Sequence, residues 1–287
     1  MNKGRRIWLG LLVLAAVAGA SALLWPGQKE PNYLGKNLSD WVVMFGRFDP
    51  EPASHRGAAA AVRHIGTNSL PFLLDWLQYE PPPWRKNLQR FPFGNWLEDR
   101  NAIRAWGALE SLRALGSEAA GAIPELVRLL GSTNESVCVK AANALGAIGT
   151  NSIPVFLDLL TNQAFSGRMR EIALGNGWRS LGTNSRTAVP VLIDHLRDGD
   201  GEVARSSAWL LGTGGVEPKT AVPALVDALS RTNSSVRWSA VWALWRFRPY
   251  VNVAPYLVGS LSDPDPSIRE TATNLLRQID PDVLRQQ

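Results

Sequence analysis

Six prolines, Pro71, Pro124, Pro154, Pro190, Pro223 and Pro255, each stand near the start of a short apolar run: LPFLLDWL, IPELVRLL, IPVFLDLL, VPVLIDHL, VPALVDAL and APYLVGSL. Their separations are 53, 30, 36, 33 and 32 residues. One interval aside, this is a period in the thirties, the mark of a helical solenoid. Proline fits the first turn of a helix because the amide it lacks would have no partner there. At 287 residues the chain is too long for one ordinary compact core and suits an elongated array.

After each proline run comes a polar turn and then a second, alanine-rich segment. The turns GSTNES, RDGDGE, SRTNSS and SDPDPS offer capping side chains ahead of Val137, Val203, Val236 and Ile268. Four residues on stand Ala141, Ser207, Ala240 and Ala272; eight on stand Leu145, Leu211, Leu244 and Leu276. That spacing draws one apolar stripe along each helix, with small residues where backbones approach. Between repeats the phrase GTNS recurs at Gly66, Gly149 and Gly182. Its glycine is expected to end the alanine-rich helix in a left-handed conformation, and its Asn or Ser to cap the next helix. Where the joint is longer, Thr187 and Thr220 are the expected caps.

These units resemble HEAT repeats, particularly the short bacterial type called PBS-lyase-like. DPDPSIRETATNLL and TNSSVRWSAVWALW carry the likeness most closely, through an Asp- or Asn-bearing turn followed by a Val/Ile-Arg pair. YLGKNLSDWVVMF is similar to the opening of HEAT-containing bacterial proteins of unknown role. The resemblance implies an all-α, right-handed solenoid of about six to seven helix pairs over residues 38–279, and the uncharged run at 7–25 adds an N-terminal hydrophobic helix ahead of it. The resemblance says nearly nothing about activity. Residues 26–37 read as a linker and 280–287 as a tail. An atypical first pair, Leu38–Gly46 with His55–Ile65, would cap the stack.

Residues 7–25, IWLGLLVLAAVAGASALLW, hold nineteen positions without a charge behind Lys3, Arg5 and Arg6. Such a run can cross a hydrocarbon layer of about 30 Å as a helix. The small residues around Ala18-Gly19-Ala20 and Ala20-Ser21-Ala22 leave a cleaved leader open as the alternative. Either reading sends residues 26–287 across the membrane. The expected placement is a single-pass protein of a bacterial inner membrane with an extracytoplasmic domain, or an exported one. Setting aside Lys3, Arg5 and Arg6 reduces the net charge from +5 to +2, so a nucleic-acid partner is not expected.

The 53-residue interval contains an insertion, residues 78–99, with three consecutive prolines that end the preceding helix. It carries Trp84, Arg85 and Trp96 among other aromatics and cations, a composition suited to gripping a partner or to plugging the stack. In the alanine-rich helices, which the resemblance places on the concave side, one column lies away from the core stripe. It comprises Trp106, Asn143, Asn176, Arg205, Trp209, Trp238, Trp242, Trp245 and Asn274. Trp gives large contact area at low entropic cost, and Asn can both donate to and accept from a peptide backbone. The column is similar in style to the ladder of armadillo import receptors, although irregular. The same tryptophans could equally pack between repeats.

Catalytic constellations do not emerge. His55, His64 and His195 are scattered, and none precedes a Glu. Cys138 adjoins core-facing Val137 and reads as a packed thiol. DGDGE at 198–202 has alternate oxygens but lacks the distant bidentate acid of a calcium loop. The expectation is therefore a non-catalytic scaffold without cofactor, metal or small-molecule substrate, binding another protein or peptide. The other class is an enzyme-like HEAT protein similar to bilin lyases or DNA glycosylases.

Overall fold

The computed structural model describes residues 29–47, 52–82, 84–85, 99–162 and 167–285. It opens with an antiparallel hairpin of β1 (Asn32–Tyr33) and β2 (Lys36–Asn37). Helices then pair in chain order: α1 (Leu38–Gly46) with α2 (Pro52–Ile65), α3 (Leu70–Leu77) with α4 (Arg100–Leu115), and α5 (Ile123–Leu130) with α6 (Glu135–Ile148). Four more pairs follow: α7 (Ile153–Thr161) with α8 (Gly167–Leu181), α9 (Val189–Asp198) with α10 (Gly201–Gly214), α11 (Pro218–Ala228) with α12 (Ser234–Arg246), and α13 (Ala254–Val258) with α14 (Pro266–Ile279). This is an all-α solenoid of stacked helix pairs, as the proline period predicts.

The predicted stripe is the core. Val137, Ala141 and Leu145 are buried, as are Val236, Ala240 and Leu244, and Ile268, Ala272 and Leu276. Ser207 and Leu211 are buried too, while Val203 is half-buried. One continuous cluster runs from Leu38 to Leu276, so each pair completes its apolar flank on the next. The second helices start where the turns provide caps. Asn134 accepts from the amides of Ser136 and Val137, Asp200 from Glu202 and Val203, Asn233 from Ser235, and Asp265 from Ser267.

The joints follow one half of the expectation. Gly66, Gly149 and Gly182 have φ of +63°, +89° and +54°, which a side chain would resist. The serine, however, does not cap the next helix. The residues after the glycine form a 3₁₀ turn running straight into that helix, so the serine is itself helical. Its hydroxyl instead donates backward to the glycine carbonyl: Ser69 to Gly66 at 2.6 Å, Ser152 to Gly149 at 2.7 Å, Ser185 to Gly182 at 2.7 Å. Thr187 and Thr220 likewise bond back to the carbonyls of Asn184 and Glu217. Because α11 begins at Pro218, Pro223 lies inside it rather than in its first turn.

Three seams between helices depend on glycine. A Cβ on Gly107 of α4 would strike the carbonyl of Val42 in α1, and one on Gly146 of α6 would strike the carbonyl of Gly177 in α8. In α10, a Cβ on Gly212 would lie 2.6 Å from Cα of Ala243 in α12. The backbones meet directly at these places.

The expected single-pass membrane placement needs correction. Among the described residues no helix is long and apolar enough to cross a membrane. Those present span 5 to 16 residues and turn their apolar sides onto one another. The 7–25 stretch lies outside the described residues.

Candidate partner-binding face

The column of tryptophans is divided by its neighbours. Trp209 of α10 stacks on Trp242 of α12, with ring centroids 6.2 Å apart and planes 18° from parallel. The other edge of Trp209 reaches α8, where a Cβ on Gly175 would sit 3.3 Å from Cη2. Trp238 of α12 donates its Nε1–H to Oγ1 of Thr271 in α14 at 3.2 Å, yet keeps 39% of its surface exposed. Trp245 is half-buried beneath the guanidinium of Arg248, 4.0 Å from the ring centre, and its Nε1 is buried without an acceptor among the described residues.

Between α8, α10 and α12 lies a cleft of about 280 Å³ lined by Glu171, Leu174, Arg205, Ser206, Trp209 and Trp238. Its charges are compensated. Arg205 binds Glu202 through Nε at 3.0 Å and Nη2 at 2.6 Å, and lies 3.8 Å from Glu171. Arg170 stands 3.7 Å from Glu202. The hydrogen bonds from Arg205 hold the Glu202 carboxyl below its ordinary value, outweighing the opposite pull of burial. What remains is a groove with indole and leucine walls and a neutralised ionic rim.

Sequence comparison supplies the context. The family described as HEAT repeats matches residues 92–175 and 189–277, more than half of the chain. The chain belongs to the HEAT-repeat family. No curated protein sequence matches this HEAT-repeat protein. Among solved structures it is similar to the complex of CpcE and CpcF of phycocyanin lyase from a Nostoc species. The identity is 24%, over 54% of this chain and 98% of that one, with a TM-score of 0.40. The archaeal HEAT-like repeats protein from Thermococcus onnurineus NA1 is 14% identical over 88% and 99%, TM-score 0.39. Human deoxyhypusine hydroxylase in complex with glycerol is 17% identical over 85% and 96%, TM-score 0.35. Likeness at this level says nothing about activity.

Elsewhere on this HEAT-repeat protein the expected contact residues are more scattered. Trp106 stands on α4 with 56% of its surface exposed. Asn176 donates Nδ2 to the carbonyl of Ile172 in its own helix, and Asn274 accepts from Arg277, so part of the capacity of each is spent locally. Asn143 is half-buried, and its backbone carbonyl accepts from Ser180. Trp84 is 57% exposed beneath Arg85, which pairs with Asp99 at 3.3 Å. Trp96 lies outside the described residues.

Trp178 escaped the sequence reading. It is buried, donates Nε1–H to the carbonyl of Leu210 at 3.0 Å and meets Phe156 edge-on at 6.1 Å. The signal was available, since Leu174, Trp178 and Leu181 follow the i, i+4, i+7 spacing of a core stripe. Among the described residues no three His, Cys, Asp or Glu side chains gather to hold a metal. Asp200 of the DGDGE turn uses its carboxylate on the start of α10.

Proposed function

We propose that this protein is a non-catalytic scaffold that holds another protein through an extended segment laid across α8, α10 and α12. One observation carries the reading: two indoles from different repeats, Trp209 and Trp238, open onto a single cleft beside Leu174. Aromatic anchors of this type, ringed by polar groups, dominate the energetics of many interfaces. Ser206 and Glu171 at the rim supply a hydroxyl and a carboxylate for a main chain passing over. This face is the inner side of the solenoid in our reading, with Trp106, Asn143 and Asn176 further along it. Trp84, at the base of the insertion, is a second contact.

The test uses the full chain as bait for cross-linked partners, with Trp238→Ala and Trp106→Ala beside the wild type. Trp238→Ala is expected to weaken capture of a reproducible partner by about tenfold or more while the melting temperature falls by only about 2–4 °C. A partner retained equally by Trp238→Ala places the contact elsewhere. A variant that only unfolds makes Trp238 a packing residue.

A further inference from the structure

We propose that the C-terminal end of α12 and the turn after it bind an acidic stretch of the partner polypeptide, whose carboxylates meet Arg246 and Arg248. The inference rests on the scaffold reading above and names the chemistry of the segment held there.

Charge along the chain gives the first observation. Residues 228–262 contain Arg231, Arg237, Arg246 and Arg248 and no Asp or Glu. Two of these arginines are consumed inside the fold. Arg237 is engaged by Asp263 and by the carbonyls of Arg231 and Thr232, and Arg231 donates to the carbonyls of Arg197 and Gly199. Arg246 and Arg248 are exposed, and neither pairs with a carboxylate among the described residues. Nearby ions are already matched: Arg205 by Glu202 and Glu171, and Glu217, in the joint after α10, by Arg186 at 2.7 Å. Positive charge is left over at the end of α12.

Geometry gives the second observation. The guanidinium carbon of Arg246 lies 5.7 Å from the ring centre of Trp242, and that of Arg248 lies 4.0 Å from the ring centre of Trp245. One cation at the negative end of a helix is ordinary by itself. Two in succession, each resting on an indole, are fixed in orientation and present their N–H edges to a carboxylate. The one hydrogen bond that either fork makes among the described residues runs from Nη1 of Arg248 to the carbonyl of Trp245, at 3.3 Å. Beside them, buried Phe247 anchors the turn, and its carbonyl accepts from the amides of Tyr250 and Val251 at 2.9 and 3.1 Å. Tyr250 is thereby displayed with 66% of its surface exposed and a hydroxyl that can also donate to a carboxylate.

Continuity gives the third. Trp209 lines the α8–α12 cleft and stacks on Trp242, over which Arg246 lies. Trp238, Trp242 and Arg246 stand at four-residue steps, so they follow one side of α12. A segment leaving the cleft along that side meets the two guanidiniums next. Charges in such a position select partners and speed their encounter through complementarity.

Fluorescence anisotropy of the full chain tests this, with a short leucine-headed oligoglutamate peptide, the same peptide with Gln for Glu, and oligothymidylate of equal length. The oligoglutamate should saturate below about 1 mM, and the other two should bind about tenfold more weakly or worse. Arg246→Gln and Arg248→Gln combined should lower the oligoglutamate affinity by about tenfold. The Glu-against-Gln comparison on the wild type decides even if that variant is unstable. Absence of oligoglutamate binding up to about 1 mM, equal binding of the Gln peptide, tighter binding of oligothymidylate, or an unaltered arginine variant overturns the assignment. Trp238→Ala separates the two readings. Loss in the arginine variant with none in Trp238→Ala keeps the acidic site and removes the cleft from it; the reverse pattern keeps the cleft and overturns the acidic site.

Discussion

Arg237, at the start of α12, holds the carboxylate of Asp263 through two hydrogen bonds, Nε to Oδ2 and Nη2 to Oδ1, both 2.8 Å. The two side chains are only 11% and 7% exposed. Nη1 of Arg237 also donates to the carbonyls of Arg231 and Thr232 at 2.9 and 2.8 Å. In the next repeat, Arg269 donates to the carbonyls of Asp263 and Pro264 at 2.6 and 3.0 Å. Each arginine thus ties down the turn just before its own helix.

Asp263→Asn leaves Arg237 enclosed without its counter-charge, which should cost about 2–3 kcal/mol in urea unfolding. The hydrogen bonds from Arg237 keep the Asp263 carboxyl below the ordinary carboxylate range. A carboxyl lowered in the folded state stabilises fully above its unfolded value. It loses that contribution as pH falls through its folded value. The gap between wild type and variant should therefore be flat near neutral pH and close on acidification below the ordinary carboxylate range. A gap that persists in strong acid would falsify this account of the pair.

Trp242 and Trp238 sit four residues apart on one helix and should behave differently. Trp242 stacks on Trp209 and packs against the core, so Trp242→Ala is expected to cost about 3 kcal/mol. Trp238 retains an open face, so Trp238→Ala should cost about 1 kcal/mol. Thermal melts of the two single variants check the order, and a reversal would make Trp238 the structural member.

The α6–α8 seam gives a sharper case. Gly146→Ala drives a methyl into the carbonyl of Gly177 and should cost about 2–3 kcal/mol through overpacking. Gly66→Ala, at a positive φ with open space around it, should cost about 1 kcal/mol through backbone strain alone. Denaturant midpoints of the two variants make the comparison, and equal costs would mean that the helices separate freely.

Burial pushes the Cys138 thiol up to about 11, with Glu135 adding to the shift. At pH 8 only about one thiol in a thousand is then ionised, and the group is enclosed. An aromatic disulfide reagent should label Cys138 only upon unfolding. Prompt labelling of the native protein would place the thiol at the surface.

The features legible in the sequence were those set by neighbours along the chain. Prolines in first turns, polar caps such as Asn134 and Asp200, and the left-handed glycines all act within a few residues. The stripe from Val137 to Leu145 obeys helix periodicity. A helical wheel shows which way Trp242 points, but not that Trp209 of another repeat lies against it. The serine of GTNS was misjudged because capping assumes an extended residue before the helix, whereas Ser69 is already in a helical turn. Arg205 stands in the column expected to meet a partner, but its engagement by Glu202 of its own helix and Glu171 of an earlier repeat is set by how the repeats stack. The Arg104 guanidinium lies over the Trp76 ring of the preceding helix, a contact that depends on how the helices stack, so no linear pattern announces it.

The backbone contacts at Gly107, Gly146 and Gly212 join α1 to α4, α6 to α8, and α10 to α12, leaving the junction of α8 with α10 bridged by side chains. Couples in backbone contact thus alternate along the stack with couples joined through side chains. The cleft bounded by Leu174 and Trp209 lies across one of the side-chain junctions, so its two walls are set by how neighbouring repeats pack and not by a backbone seam.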